Sequence, residues 1–422
     1  MVEALVALAC YLTFFANVGS VGTVAQVGAL GLLFAAAALA ALQDKINASP
    51  VSPTELTLYA VGLISTVLGL ISTEDGPLMY SVGLFGAVIL VSIIARSISL
   101  DRLLDIGAAV MLLCVLTTVV VERGNVLTAL SASVGKSGLL RFEPLGTHPN
   151  LTGYMFGSGS ILMIRRVLIS KNLFERIAMA GAVLLSWAFI LAASARSSIL
   201  ALAVAAAVAV ILEPRVRRAI GWKWVAIGAV AVTVIGVAFP EKISSYLTQM
   251  LDLESSSRGL ESGGSGRVDI WWHGLEVLFD DPLTLVLGGG FRSSSSDIIG
   301  FSTESSYVTI LLDNGIFLGC AVIFVFWYSP VRALRLSLAQ SRDANTLVLA
   351  CSFLLFLLIE SIFNRYLLAV GNPTSLMTLL ILFSVAMRAR PETAQTRDPA
   401  LGAWPSIGAS FHRAKDLDEG RR

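Results

Sequence analysis

The sequence predicts an all-α polytopic membrane protein, and three observations support this fold class. The chain has 422 residues, of which 55% are hydrophobic and only 14% are charged. Its mean hydropathy is +0.79, outside the range of soluble domains. About twelve apolar stretches are long enough to cross a bilayer, alone or inside a bundle. The net charge of +1 gives no general attraction for nucleic acid, so no nucleic-acid partner is expected.

The apolar stretches fall into three groups separated by polar segments. Five precede a polar loop at 122–149, near residues 2–18, 22–43, 55–73, 77–95 and 105–121. Four follow the loop, near residues 150–168, 176–194, 197–213 and 222–239. The last three lie near residues 305–329, 345–363 and 372–388. The predicted bundle therefore covers 1–388 and includes a long loop at 240–304. The tail 389–422 is rich in charge, Pro, Gly and Ser, and is predicted to be disordered and cytoplasmic.

Basic residues in the short loops predict the orientation, because cytoplasmic loops are enriched in Lys and Arg. The first apolar stretch lacks a basic start and is interpreted as a span, not as a cleaved signal. With the N-terminus inside, the inner loops carry most basic residues, namely Lys45, Arg96, Arg102, Arg165, Arg166, Lys171, Arg176, Arg215, Arg217, Arg218, Lys223, Arg332, Arg335 and Arg342. Both termini are therefore predicted to be cytoplasmic and the long loop to lie outside.

A helix is predicted in the long loop, from a cap at Ser265 to Asp281-Pro282, where the proline ends it. One face is apolar and aromatic, with Val268, Trp271, Trp272, Leu275 and Leu278 at helical spacing. Such a helix can lie flat on a membrane surface. Arg267 stands at its N-terminus, where free N–H groups already favour an anion, and is predicted to grip a phosphate of a lipid carrier. The alternative is a surface helix that only covers the bundle.

Several arginines break the charge bias by facing outward: Arg123, Arg141, Arg196, Arg258, Arg267, Arg292 and Arg365. Arg196 is the most informative, because it lies between two spans with almost no loop to keep it in water. A cation there is costly unless it is paired or lines a polar cavity. The alternative for Arg196 is snorkelling to headgroups. For Arg365, the alternative is an ion pair with the nearby Glu360.

A carboxylate opens the span near 305–329. Glu304 precedes this span and Tyr307 follows one turn later, so the sequence places both at the outer surface. Glu304 is a candidate general base, or only a favourable charge at a helix N-terminus. Further along the span, the sequence Asp313-Asn314-Gly315 indicates a local break or a polar contact.

Two glycine-bearing loops carry further candidates. His148 and Asn150 come just before the span near 150–168, and His148 is either a site residue or an ordinary hydrogen-bonding residue. Gly288-Gly289-Gly290 precedes Arg292 and either allows a close backbone approach or acts as a hinge. The four cysteines all lie in apolar runs, and no spacing of His, Cys and carboxylates suggests a metal site.

The order of these motifs resembles the O-antigen ligase and polysaccharide polymerase superfamily of bacterial membrane glycosyltransferases. The resemblance covers roughly residues 146–320. The motifs that carry it are Gly146-Thr147-His148-Pro149-Asn150, Ser194-Ala195-Arg196-Ser197, Ser265-Gly266-Arg267 with Trp271, Gly288-Gly289-Gly290, Glu304 with Tyr307, and Asn314-Gly315.

This resemblance implies a glycosyltransferase C-like helical fold in the bacterial inner membrane. The implied substrate is an oligosaccharide on undecaprenyl diphosphate, transferred at the outer face without a metal or another cofactor. Arg196 and Arg267 would bind the diphosphate and Glu304 would act as the base. His148, Asn150, Trp271, Arg292, Tyr307 and Arg365 are the candidate substrate-binding residues. The ligases usually carry histidine followed by asparagine at the position of Glu304, and this departure favours a repeat-unit polymerase.

Three functions remain open at this stage. The first is a polymerase that joins carrier-linked repeats into an exopolysaccharide, capsule or O-antigen, with a chain-length regulator as a candidate partner. The second is a ligase that attaches glycan to a lipid core or a protein. The third is a transporter of polysaccharide or lipid, which predicts internal repeats and ionisable residues near mid-membrane.

Overall fold

The computed structural model describes residues 1–18, 21–43, 46, 50–71, 75–132, 141–212, 267–293, 298, 300, 302–340 and 344–388. Regular structure in these ranges is helical. The α-helices are α1 (Val2–Leu12), α2 (Gly22–Leu42), α3 (Pro53–Ile71), α4 (Asp75–Ser97), α5 (Leu100–Ala132), α6 (Pro149–Ile169), α7 (Leu173–Ala192), α8 (Arg196–Leu212), α9 (Arg267–Asp280), α10 (Pro282–Leu287), α11 (Ser306–Gln340), α12 (Ala344–Glu360) and α13 (Pro373–Arg388). The predicted span near 222–239, the first part of the long loop and the tail 389–422 lie outside the described residues.

Several helices have the length and composition of membrane spans. Among the described residues six qualify: Gly22–Leu42, Pro53–Ile71, Leu78–Ser97, Leu100–Val126, Leu173–Ala192 and Ser306–Leu336. Four shorter apolar helices are Val2–Phe15, Arg196–Leu212, Thr346–Glu360 and Pro373–Arg388. The described part of the chain is therefore all-helical and has the apolar helices of a membrane protein, as the sequence predicts, while the number of about twelve spans stays a prediction.

Helix α6 is the centre of the bundle. Its residues from Pro149 to Met163 are all buried. Two of its glycines let neighbouring helices come close. A β-carbon on Gly153 would lie 2.2 Å from Ser198 Oγ of α8, and one on Gly157 would lie 2.4 Å from the Phe356 ring of α12. The small side chains of α6 thus bring α8 and α12 together around it.

The two ends of the bundle differ in their polar chemistry. At one end, called here the ion-pair end, Arg165 of α6 pairs with Asp101 and Asp105 of α5. Thr346 of α12 donates to the same Asp101, over 2.7 Å. The start of α5, the end of α6 and the start of α12 therefore meet here. Arg165 is one of the basic residues assigned to the inner loops, and which end of the bundle faces the cytoplasm stays a prediction.

Helix α5 is longer than its apolar composition indicates. A polar loop was expected from residue 122, but the helix continues to Ala132 through a kink at Glu122, where φ is −110° and ψ is 15°. The Glu122 carboxylate accepts a hydrogen bond from the backbone N–H of Leu145, over 3.0 Å. The prediction of a loop from residue 122, made from the polar residues there, is therefore wrong up to Ala132. The residues are compatible with helix, and the Glu122 carboxylate at the kink contacts the segment that precedes α6.

The break predicted inside α11 is confirmed at Gly315, which has φ 70° and ψ 173°. The Gly288–Gly290 segment packs against it. The N–H of Gly290 donates to Asp313 O over 2.8 Å, and a β-carbon on Gly288 would lie 2.4 Å from the same oxygen. Of the two readings of the three glycines, close backbone approach is therefore the one observed.

Candidate functional site

The Glu304 carboxylate lies at the opposite end of the bundle from the ion pairs, in the turn that leads into α11. Asn150 Nδ2 is 3.5 Å from Glu304 Oε2, and Asn150 Oδ1 accepts from Arg141 over 3.0 Å. Arg141 Nε in turn donates to Ala193 O at the end of α7, over 2.9 Å. Asn150 is only 4% exposed. Its amide therefore links Arg141 to the carboxylate, so its observed role is to hold the site together.

His148 caps α6 beside this carboxylate. Its Nδ1 accepts from the backbone N–H of Asn150, over 3.2 Å, which satisfies one of the free donors at the helix start. Desolvation by the surrounding protein lowers the pKa of His148, while the negative charge of Glu304 raises it and the Arg141 guanidinium lowers it. The neutral imidazole is the form that can accept the capping hydrogen bond, so the pKa direction agrees with the geometry.

A buried carboxylate, Glu360, fixes the turn that carries Arg196. Ser197 and Ser198 donate to Glu360 Oε1 over 3.0 and 2.7 Å, and Asn364 donates over 2.6 Å. Glu360 is completely buried. These four residues are called the Glu360 cluster below. Sequence proximity suggested an ion pair between Glu360 and Arg365; instead, Glu360 binds the start of α8.

Arg267 and Glu304 converge on Tyr366. This tyrosine lies within electrostatic range of Glu304, Arg365, Arg267 and Glu360. Burial raises the pKa of its hydroxyl, and the negative Glu304 raises it further. Arg267 is also within electrostatic range of Glu360. The arginine at the start of α9 and the carboxylate before α11 therefore lie within electrostatic range of one residue, and the Glu360 cluster ties the Arg196 turn to the same region.

A cavity of about 390 Å³ opens beside Glu304 and is called here the site cavity. Ser302 and Thr303, which directly precede Glu304 in the chain, line this cavity. The other wall residues from this end of the bundle include His148, Arg365 and Tyr366. Further wall residues come from α2, α4 and the segment after α1. Glu304 follows the wall residue Thr303 directly, and Arg196, Arg267 and Glu304 are not wall residues themselves.

Four non-glycine residues in the described part of the chain have positive φ: Leu145, Ser194, Arg292 and Glu304. Each lies in a segment around the site. Leu145 precedes His148, Ser194 precedes Arg196, and Arg292 lines the site cavity. Such backbone conformations cost free energy and concentrate at functional sites. Their distribution therefore marks this end of the bundle as the functional one.

Arg292 is an exposed residue of the cavity wall. Its guanidinium lies over the Tyr80 ring of α4, 4.3 Å from the ring centroid. Its backbone N–H donates to Asp313 Oδ2 over 2.8 Å. The backbone carbonyl of the same Asp313 accepts from the N–H of Gly290. Asp313, next to the break in α11, therefore binds the backbone of the segment that carries Arg292.

Tyr307 and Trp271 make packing contacts. The Tyr307 hydroxyl donates to Leu358 O over 2.7 Å and accepts from Trp327 over 3.1 Å, so it points at α12. The Trp271 ring lies 6.2 Å from the Phe363 ring. Neither residue is part of the cavity wall, and their predicted contact with substrate stays a prediction.

The predicted helix in the long loop corresponds to α9. Its end at Asp280 is confirmed, whereas the predicted cap Ser265 lies outside the described residues. The apolar face is divided between two environments. Gly274 and Leu278 are buried, and Leu278 packs against Val308 and Leu312 of α11. Trp272 remains 63% exposed. The helix thus docks on the bundle and still presents an aromatic side chain outward.

Sequence reasoning missed three contributions to this site. Arg141 was noted only as an outward-facing arginine, Glu360 only as a partner of Arg365, and Tyr366 not at all. The charge bias of the loops was a usable signal for Arg141. The contacts of Glu360 and Tyr366 join segments far apart in the chain, and no local pattern marks them.

Comparison with known families gives one match. Residues 181–324, about one third of the chain, match the family model described as O-Antigen ligase. The predicted resemblance to the O-antigen ligase superfamily is confirmed by this match. The matched segment includes Arg196, Arg267, the glycine segment, Glu304 and Gly315. A search of curated proteins found no match.

Proposed function

Because residues 181–324 match the O-antigen ligase family, we propose that this protein is a membrane glycosyltransferase that polymerises oligosaccharide repeats carried on undecaprenyl diphosphate. The reaction takes place at the outer face of the bacterial inner membrane and produces a surface polysaccharide. The observation that supports this proposal most is that Glu304 and Arg267 both lie within electrostatic range of Tyr366, a wall residue of the site cavity. A proton acceptor and a cation suited to a diphosphate therefore both act on the same wall residue of one cavity.

In the proposed reaction, a hydroxyl of the acceptor sugar attacks the anomeric carbon of the donor saccharide. Glu304 takes the hydroxyl proton as the new carbon–oxygen bond forms. The bond from the anomeric carbon to the diphosphate breaks, and its electron pair leaves with the diphosphate. Attack opposite the leaving group inverts the anomeric configuration.

The arginines act on the leaving group. Guanidinium groups match phosphate oxygens in geometry and stay charged at any working pH. Arg196 and Arg267 accelerate the reaction to the extent that their contact strengthens as charge grows on the departing diphosphate. The Glu360 cluster supports this role, because Glu360 holds the turn next to Arg196 by two hydrogen bonds, from Ser197 and Ser198.

The choice of polymerase over ligase rests on Glu304. A carboxylate stands where the resembling ligases usually carry histidine, and it is followed by Ser305 in place of asparagine. The family description itself favours the alternative, a ligase that transfers glycan to a lipid core or a protein. The two functions use the same donor chemistry and differ in the acceptor.

Reconstitution in liposomes with defined carrier-linked repeats tests the proposal. A polymerase elongates the repeats with no other acceptor present, whereas a ligase forms product only when a lipid core or protein acceptor is added. We expect elongation by the wild type and none by Arg267→Ala or Arg196→Ala at equal protein yield.

The control variant is Arg332→Ala. Arg332 lies on α11 over the Tyr328 ring, and it belongs to the basic residues assigned to the inner loops. We expect it to elongate repeats at the wild-type rate. Normal polymer length from both Arg196→Ala and Arg267→Ala would overturn the role assigned to the two arginines, and no glycosyl transfer by the wild type under any acceptor condition would overturn the function.

A further inference from the structure

The part of the cavity wall that comes from α2 and the segment before it contains polar side chains that no part of the proposed reaction uses. Helix α2 contains only two polar residues, Thr23 and Gln26, among 21. Both line the cavity, one turn apart on the same face, with Leu30 and Leu33 further along that face. The two polar side chains of an otherwise apolar span therefore both line the site cavity.

Polar groups on a membrane helix are costly unless they find hydrogen-bond partners or face water. Thr23 is exposed and Gln26 is half-buried. Asn17, in the turn before α2, also lines the cavity and is exposed. Among the described residues, no side-chain hydrogen bond is seen for Asn17, Thr23 or Gln26. Their hydrogen-bonding capacity is therefore open to a ligand in the cavity.

Space beside the Gln26 amide is preserved by a glycine. A β-carbon on Gly371 would lie 3.2 Å from Gln26 Nε2, closer than most such contacts. The loop that carries Gly371 also carries Arg365 and Tyr366, which line the same cavity, and Tyr366 lies within electrostatic range of Glu304. A ligand held by Gln26 thus lies in the same cavity as the residues around the candidate base.

The chemistry of this wall fits a sugar. The uncharged hydroxyl and amide groups of this wall share the cavity with the aromatic rings of Tyr80 and Tyr366 and with the apolar side chains of Leu30 and Leu33. This is the usual composition of a small-molecule site, in which a few polar groups fix the orientation of the ligand. The cavity volume of about 390 Å³ suits the end of a glycan, not a whole chain.

We propose that Thr23 and Gln26 of α2, with Asn17, form a binding subsite for the terminal sugar of the acceptor glycan, held through its hydroxyl groups. This inference rests on the proposed function and deepens it. The subsite lies outside the segment that matches the O-antigen ligase family, residues 181–324. The matched segment would handle the carrier diphosphate, and α2 would select the acceptor.

Two binding measurements on the purified protein in nanodiscs test the subsite. The probes are undecaprenyl diphosphate and the free oligosaccharide repeat, released by mild acid from the carrier-linked glycan of cells that lack this protein. Loss of a hydrogen-bonded amide should weaken binding of the oligosaccharide about tenfold in Gln26→Leu. Binding of undecaprenyl diphosphate should stay unchanged. The near-isosteric Thr23→Val should show the same selectivity with a smaller effect.

Gln43→Leu is the matched control, since Gln43 follows α2 at its other end and is exposed outside the cavity. We expect it to bind both probes like the wild type, with all three variants sharing the wild-type unfolding temperature. Equal oligosaccharide affinity in Gln26→Leu and Gln43→Leu overturns the subsite. So does a wild type that binds undecaprenyl diphosphate and no oligosaccharide. A wild type that binds neither probe overturns the proposed function as well.

Discussion

Removing the Glu360 carboxylate should destabilise the site end of the bundle and stop the reaction. Glu360 Oε1 accepts three hydrogen bonds, from Ser197, Ser198 and Asn364. At about 1 kcal/mol for each neutral bond and more for a charged one, their combined loss in Glu360→Ala is about 3–5 kcal/mol. Glu360→Gln keeps an acceptor oxygen in the same place and should lose about 1–2 kcal/mol.

Thermal unfolding followed by tryptophan fluorescence measures the loss of stability. The elongation rate in liposomes measures the loss of activity. Because the cluster positions the Arg196 turn, Glu360→Gln should lower kcat at least tenfold while the KM for acceptor stays close to the wild-type value. Glu276→Gln is the control, since the Glu276 side chain is 70% exposed on α9. The reasoning is refuted if Glu360→Ala unfolds at the wild-type temperature and elongates repeats at the wild-type rate.

Three further changes test other parts of the site. Glu304→Gln should bind undecaprenyl diphosphate like the wild type and give no product in the elongation assay, because the amide cannot take the acceptor proton. Gly288→Ala should lower the free energy of unfolding by about 2 kcal/mol or more, because its φ is +72° and the new β-carbon would lie 2.4 Å from Asp313 O. The lowered pKa of His148 means that its contribution to stability is present above the ordinary histidine pKa and is lost as pH falls through the folded-state value. His148→Asn, which keeps a capping side chain, should not show this loss between pH 5 and 7 in thermal unfolding.

Each of these predictions has an outcome that contradicts it. Wild-type turnover in Glu304→Gln would remove this carboxylate as the base. Gly288→Ala is compared with Gly181→Ala, where a β-carbon meets nothing within 4 Å, and equal unfolding free energies would refute the close approach. A His148→Asn variant with the pH dependence of the wild type would show that another group titrates.

The helical class and several local features could be predicted from the sequence, because they depend on local signals. Apolar runs predict the spans, Asp281-Pro282 predicts the end of α9, and Asp313-Asn314-Gly315 predicts the break in α11. The extension of α5 through Glu122 was missed, because polar residues are compatible with helix. Here the Glu122 carboxylate also accepts a hydrogen bond from the segment before α6.

The arrangement of the site could be predicted only in part. The order of the motifs brings Arg267 and Glu304 to one end of the bundle, because successive spans alternate in direction. The partner of Glu360 could not be found, since Ser197 and Ser198 lie on a distant helix while Arg365 is close in sequence. The α2 wall was missed for the same reason. Two polar residues in an apolar span form no recognisable motif, and only the tertiary structure shows that they line a cavity.

The central claim is that Arg196 and Arg267 hold one diphosphate together, and a double-mutant cycle on undecaprenyl diphosphate binding tests it most directly. Each hydrogen bond to a charged group is worth about 1.5–3 kcal/mol, so Arg196→Ala and Arg267→Ala should each weaken binding at least tenfold. The double variant should lose at least 0.5 kcal/mol less than the sum of the two single losses, because both groups contact the same ligand. Affinity within twofold of the wild type in either single variant, or strictly additive losses, would contradict the account.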